Sequence, residues 1–359
     1  RFTNRCTNPQ TITSVAAPLN PEFQLIAPAI PFVLAPAASF TVQARYTPTN
    51  SGIDDSSFVI GERTISLRGA SQTGINRQQV RVPNKSDVLL VVDDSCSAPD
   101  KQQALADNPG SMFGFAFDAG IDFQFAVTTT DDVISTAGTL TEPPFGNRIL
   151  YPISPRFVSD YAAMVLRGYN GSATEAGLST GLKALTPPLI TGTNAGFLRS
   201  DASLGVLFVS DARDQSQLPA SAYVDGYRAL KSPNAFVAHG LLPVVAPTPM
   251  CGHDGPLEVD RYLAVVRASG GQAEEICLDI PGTLERLAPS LFGRRETYFV
   301  TTPVDPAIPL TVTVDGNQVP GGPQTWSWDA VSLAVRFHPA AAPRPGQQLV
   351  ISSVPPCMP

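Results

Sequence analysis

Between residues 91 and 100 the chain reads VVDDSCSAPD, an apolar run that ends with an oxygen at every second position: Asp93, Ser95 and Ser97. Alternating carboxylate and hydroxyl groups on a short loop are what a hard divalent cation selects, because such ions gather several oxygen ligands. The same residues also suit a plain strand-to-helix turn, in which one of them caps the helical-looking KQQALADN that follows. Spacing inside this stretch does not separate the two readings. Two further loops add oxygens. NGSATEAGLSTGLKAL places Thr174 just ahead of a helical pattern, and LFVSDARDQS ends a second apolar run on Asp211. Three hydroxyls and two carboxylates then collect at strand ends. A shell dominated by neutral hydroxyls leaves a divalent ion under-neutralised, and the ion takes up a carboxylate from a partner. That is binding chemistry rather than turnover.

Other chemistry has less support. A nucleophilic hydroxyl needs a histidine base, and His239, His253 and His338 stand in contexts without a partner motif. His253, in CGHDG, is beside a carboxylate but reads as a loop residue. Asp131-Asp132 after TTT reads as a solvated strand cap or an outer metal shell. Neither GxGxxG nor GxxxxGK occurs, so no phosphate-cradling cofactor loop is expected. The expectation is a protein that is not an enzyme.

The elements that must position these oxygens follow from length and rhythm. A chain of 359 residues suits two or three domains. Its net charge of −7, with no Lys/Arg cluster, argues against nucleic acid. The longest apolar runs, SDVLLVV, LGVLFV and AFVAHGLLPVV, fall short of the roughly 20 residues of a membrane span. Arg1-Phe2-Thr3-Asn4 is not a signal peptide, so the chain reads as processed, trimmed or part of something longer. Thirty-five prolines and 28 glycines among many Thr, Val and Ala suit β-rich extracytoplasmic domains. Five cysteines without a CxxC pair point to disulfides in an oxidising compartment more than to zinc.

Residues 1–75 carry short strands with turn signals, among them TITSVAA, FQLIA, FTVQARYTP, SSFVI and RTISLRGA, the pattern of an antiparallel β-sandwich. A linker, INRQQVRVPN, leads into residues 86–293, where buried-looking strands (SDVLLVVDD, IDFQFAVTTTDD, LGVLFVSDA, NAFVAHGLLPVV, GGQAEEICLDI) alternate with helical patterns. Such alternation predicts a doubly wound parallel α/β sheet, whose ligands sit at carboxyl strand ends near the switch point. Residues 295–359 return to strands and predict a small all-β domain. There Asp315-Gly316 marks a hairpin, and Trp326 and Trp328 read as core and rim.

On Asp93-x-Ser95-x-Ser97, Thr130-Asp131, Thr174-Glu175-x-Gly177-Leu178, Ser210-Asp211-x-x-Asp214 and RYLAVVRASGG, the middle segment resembles von Willebrand factor A domains with a metal-ion-dependent adhesion site. The versions in bacterial surface and secreted proteins are the most similar. The resemblance implies that Ser95, Ser97 and Thr174 hold Mg2+ (or Ca2+ or Mn2+) directly, with Asp93 and Asp211 acting through water. It departs at Cys96, where the family usually has Gly, and at Ala98-Pro99, where Met is common. Similar bacterial domains carry a cysteine pair where Cys251 and Cys277 bracket LEVDRYLAVVRAS, which implies a disulfide. Thr3-Asn4, Ile12-Thr13, Phe23, Phe40-Thr41-Val42, Tyr46-Thr47-Pro48 and Leu67-Arg68-Gly69 make residues 1–75 resemble ASH-type immunoglobulin-like domains. The family's first strand should precede Phe2 and is missing. The resulting expectation is a secreted or surface-exposed adhesion module that binds a carboxylate-presenting protein. The alternative is a structural subunit or spacer of a surface assembly with a vestigial site.

Overall fold

The computed structural model describes residues 1–49, 52–71, 75–244 and 259–355. It divides into two compact units, Arg1–Asn76 with Val354–Pro359, and Arg77–Ser353.

In the first unit every pairing is antiparallel, as the alternating strands imply. Phe2–Thr3 pairs with Ser39–Phe40, Gln10–Ile12 with Phe32–Leu34, Phe23–Ile26 with Gln43–Tyr46, and Gly52–Ile60 with Arg63–Ser71. Among the described residues each ladder is two strands wide. Phe23 is buried and stacks on Tyr46 with ring centroids 4.7 Å apart. A Cβ on Gly69 would lie 2.5 Å from that tyrosine ring, so the closing strand needs glycine there.

The second unit contains a five-stranded parallel sheet. Its strands are β1 (Lys85–Val92), β2 (Asp122–Thr129), β3 (Ser203–Val209), β4 (Phe236–Leu242) and β5 (Ala273–Glu275), in the order β2-β1-β3-β4-β5. Val88 to Val92 are buried without a break, which is why β1 is a continuous apolar run instead of an alternating one. Helices α1 (Pro99–Ala106), α2 (Pro109–Asp118), α3 (Phe157–Val165) and α7 (Ile280–Leu291) cover one face around Phe113, Phe125, Tyr161 and Leu287. Helices α4 (Gly177–Ala184), α5 (Ala220–Leu230) and α6 (Asp260–Ala268) cover the other around Leu178, Phe208, Tyr227 and Tyr262. The sheet is doubly wound, and its order reverses between β1 and β3.

Two sequence expectations change. The first is α7, since the sequence patterns above include no helix over 280–291. Pro281 lies in the first turn, where a missing N–H costs nothing, and Asp279 caps that turn by accepting from the Gly282 N–H at 3.1 Å. Second, part of the expected linker is a strand. Asn76–Arg81 joins a four-stranded sheet in the order Asn317–Val319, Thr311–Val314, Gln348–Ser353, Asn76–Arg81, with residues 76, 78 and 80 turned inward. Beside it, Thr297–Phe299, Ala334–Phe337 and Trp326–Asp329 form three strands over a core that includes Tyr298, Trp326, Phe337 and Ile351. Asp315 and Gly316 both take positive φ, 49° and 80°, as a tight two-residue hairpin demands. Trp326 is buried with its indole N–H on the Val319 carbonyl at 2.8 Å, and Trp328 packs at the margin of the same core.

Candidate metal site

The carboxyl ends of β1, β3 and β4 lie side by side, and the ladders between them run one residue past the strands. The Asp93 N–H donates to the Val209 carbonyl at 2.9 Å, and the Ser210 N–H donates to the Leu241 carbonyl at 3.2 Å. This fixes the backbone from which the predicted oxygens project. Asp93 is buried. Its Oδ1 accepts from the Ser95 N–H at 2.8 Å and its Oδ2 from the Ser210 hydroxyl at 2.8 Å. The Ser95 and Ser97 hydroxyls are 3.1 Å apart, and Ser97 Oγ donates to Asp211 Oδ1 at 2.9 Å. Asp93, Ser95, Ser97 and Asp211 are therefore one continuous cluster.

Thr174 is placed differently. Its loop is tied to the same sheet edge: the Gly171 N–H donates to the Asp94 carbonyl at 2.8 Å, the Ala176 N–H to the Thr130 carbonyl at 2.9 Å, and Gln215 holds the Ala173 carbonyl at 3.0 Å. The Thr174 side chain is exposed, and its hydroxyl makes no hydrogen bond to the other four residues. Cys96 is an exposed free thiol, as is Cys6. Cys251, and with it the expected bridge to Cys277, lies outside the described residues, as do His253 and Cys357.

One residue that completes the surroundings, Gln102, was not singled out by sequence. Gln102 reaches back from α1 and donates to the Asp93 carbonyl at 2.7 Å while pairing with Gly168 through both ends of its amide. Asp214 takes no part in the cluster. It caps α4 by accepting from the Leu178 N–H at 3.1 Å, and it pairs with Arg261 Nε at 2.8 Å from a fully buried position. Asp131 likewise caps loops, accepting from the Val133 and Ser172 N–H groups. The stretch Gly177-Leu178-Ser179-Thr180-Gly181 has the GxSxG spacing of a hydrolase nucleophile. It lies within a helix, however, instead of on a strand-to-helix elbow. His239 is buried with Nδ1 accepting from the Gln272 N–H at 2.9 Å, and His338 caps a short helical turn.

The electrostatics are those of crowded acids. Burial raises the Asp93 carboxyl above its ordinary range, with the Asp211 charge adding to it and the Ser95 and Ser210 hydrogen bonds opposing. Glu175 is pushed to about 8, first by burial and then by the Asp93 charge. Asp94 is pushed to about 6 by burial and then by Asp131. Asp94 Oδ1 and Glu175 Oε1 are buried without a hydrogen bond, and Asp211 Oδ2 faces the Lys101 ammonium at 3.2 Å. Surplus negative charge and unmatched acceptors beside two touching hydroxyls fit a hard divalent cation. Among the described residues no group of three or more His, Cys, Asp or Glu side chains has a metal-binding arrangement.

No family model matches the chain, and no curated protein matches it. Among solved structures it is similar to proximal thread matrix protein 1 from the mussel byssus, in a form described as having a zinc-occupied MIDAS motif. That likeness has 14% identity, covers 59% of this chain and 48% of that one, and has a TM-score of 0.38. The pilus adhesin SpaC from Lactobacillus rhamnosus GG is 12% identical over 93% of this chain and 43% of its own, with a TM-score of 0.39. The manganese-loaded TRAP protein of Plasmodium vivax is 10% identical over 62% and 78%, with a TM-score of 0.32. The chain thus spans about half the length of the mussel protein.

Proposed function

We propose that the chain is an extracellular or surface-exposed protein-interaction module, and that its middle domain binds a partner's carboxylate through a divalent cation. Ser95, Ser97 and Thr174 would hold the ion, Asp93 and Asp211 would orient its water, and Mg2+, Ca2+ or Mn2+ would serve. When bound, the ion supplies an open coordination position of positive charge. The observation that carries this reading is the hydrogen-bonded run from Asp93 through Ser95 and Ser97 to Asp211 at the point where the strand order reverses. Ser95 N–H and Ser210 Oγ occupy both Asp93 oxygens and hold that carboxylate behind the hydroxyls instead of in the open position. Turnover is not part of the proposal: the described histidines, His239 and His338, are engaged elsewhere, and the Asp93 and Asp211 carboxylates accept from Ser95, Ser210 and Ser97.

A second reading, a structural spacer with a vestigial site, is favoured by the exposed, unengaged Thr174 hydroxyl. Capture of a partner from surface extracts, with Mg2+ and then with chelator, separates the two. The adhesion reading expects capture only with the ion present and loss of capture in Thr174→Ala. Capture indifferent to both moves the assignment to the spacer.

A further inference from the structure

One cation already stands at the cluster. Lys101 Nζ lies 3.2 Å from Asp211 Oδ2, 3.0 Å from the Ser97 carbonyl and 3.0 Å from Asp100 Oδ1. Its side chain is 16% exposed, against 5% for Asp211 and 75% for Asp100. The placement is unfavourable on local grounds. Lys101 sits in the first turn of α1, where the helix dipole disfavours positive charge, and its side chain is partly withdrawn from water. The acids around it must compensate. Asp211 does so from the floor of a small crevice that Lys101 shares with Val92, Asp93, Ala98 and Val209.

We propose that Lys101 is a tethered counter-cation for this site: its ammonium holds Asp211 when no divalent ion is bound and has to release it when one binds. The proposal rests on the metal reading above and adds that Lys101 sets the ion affinity. Asp211 Oδ1 is taken by Ser97, so Oδ2 is the oxygen left to steady an ion's water, and Lys101 faces that oxygen. A divalent ion and an ammonium beside one carboxylate repel each other. The flexible four-carbon stem lets the ammonium swing outward to Asp100, already within 3.0 Å and in solvent, so the exchange needs no backbone movement. Ion binding is then a swap of one cation for another. Its net gain is smaller than the donor set alone would give.

The test is titration of Mn2+ into the wild type, Lys101→Met and Lys101→Arg, followed by calorimetry, with melting in chelator to show that each variant folds. Removing the competing charge should tighten binding in Lys101→Met roughly tenfold or more, the factor that one charge-assisted contact commands. Lys101→Arg, which keeps the charge, should stay near wild type. An ion bound by Lys101→Met and not by the wild type supports the proposal in its strongest form. Equal affinity for wild type and Lys101→Met overturns it and leaves the metal reading standing. No binding by any of the three overturns the metal reading, and this proposal with it.

Discussion

Ser97 Oγ donates to Asp211 Oδ1 at 2.9 Å across 114 residues of sequence. The two residues hang from the ends of β1 and β3, which are neighbours because the sheet changes winding direction between them. Contact between two short side chains so far apart depends on the whole parallel sheet being formed. Folding and the ability to bind an ion are coupled for that reason.

Ion binding should therefore be visible as stability. Melting with Mg2+ should exceed melting with chelator, by about 2.7 kcal/mol at a hundredfold excess over Kd. Asp93→Ala should abolish the difference, since Asp93 ties Ser95 and Ser210 together. Superimposable wild-type curves in the two conditions would sink the prediction.

Asp214 should matter for stability more than for ions. Asp214→Ala removes the cap of α4 and the charge partner of Arg261, whose guanidinium keeps the Ser216 and Leu218 carbonyls, with an expected cost of about 3 kcal/mol in urea unfolding. Arg261 is 31% exposed, so water recovers part of the loss. A cost below roughly 1 kcal/mol would show the pair to be incidental.

His239 should make the protein acid-sensitive well away from the cluster. Burial lowers its imidazole to about 4, while the unfolded chain keeps the ordinary value of 6.5. Between those values the unfolded state binds more protons, so stability is full above about 6.5 and falls as the pH drops toward 4. The slope is up to roughly 1.4 kcal/mol per pH unit. His239→Gln should flatten this part of the profile. An unchanged slope would assign the acid sensitivity to other groups.

Two glycines should respond in opposite directions to alanine. A Cβ on Gly205 in β3 would lie 2.5 Å from the Leu291 carbonyl oxygen at the end of α7, so Gly205→Ala should cost about 1–3 kcal/mol. Gly114 in α2 has nothing within 4 Å of that position, and Gly114→Ala should stabilise by about 0.5–1 kcal/mol. Equal shifts in denaturation midpoint would count against the packing described for α7.

The parallel sheet was legible because β1 and β3 are unbroken apolar runs that end on polar loops, and the alternating helices left one winding. Asp93, Ser95, Ser97 and Asp211 converge because strand ends in such a sheet converge. The Thr174 hydroxyl is not joined to them, and no spacing rule sets the side-chain direction of an exposed loop threonine. Helix α7, with Pro281 in its first turn and Pro289 in its interior, was not among the helical patterns taken from the sequence. Lys101 and Gln102 carried no signal in one dimension, since each matters only through what the folded chain sets beside it.

The strands Asn76–Arg81 and Gln348–Ser353, at the two ends of the second unit, are hydrogen-bonded neighbours, and Val82 continues their contact with Gly346 and Gln347. Tension applied along the chain at those two ends would load this ladder first. The α/β sheet and its cluster of acids and hydroxyls lie on the long excursion between the strands, outside the direct line of force. A pull between those two strands would have to part this clasp before it could distort the hydroxyl pair at Ser95 and Ser97.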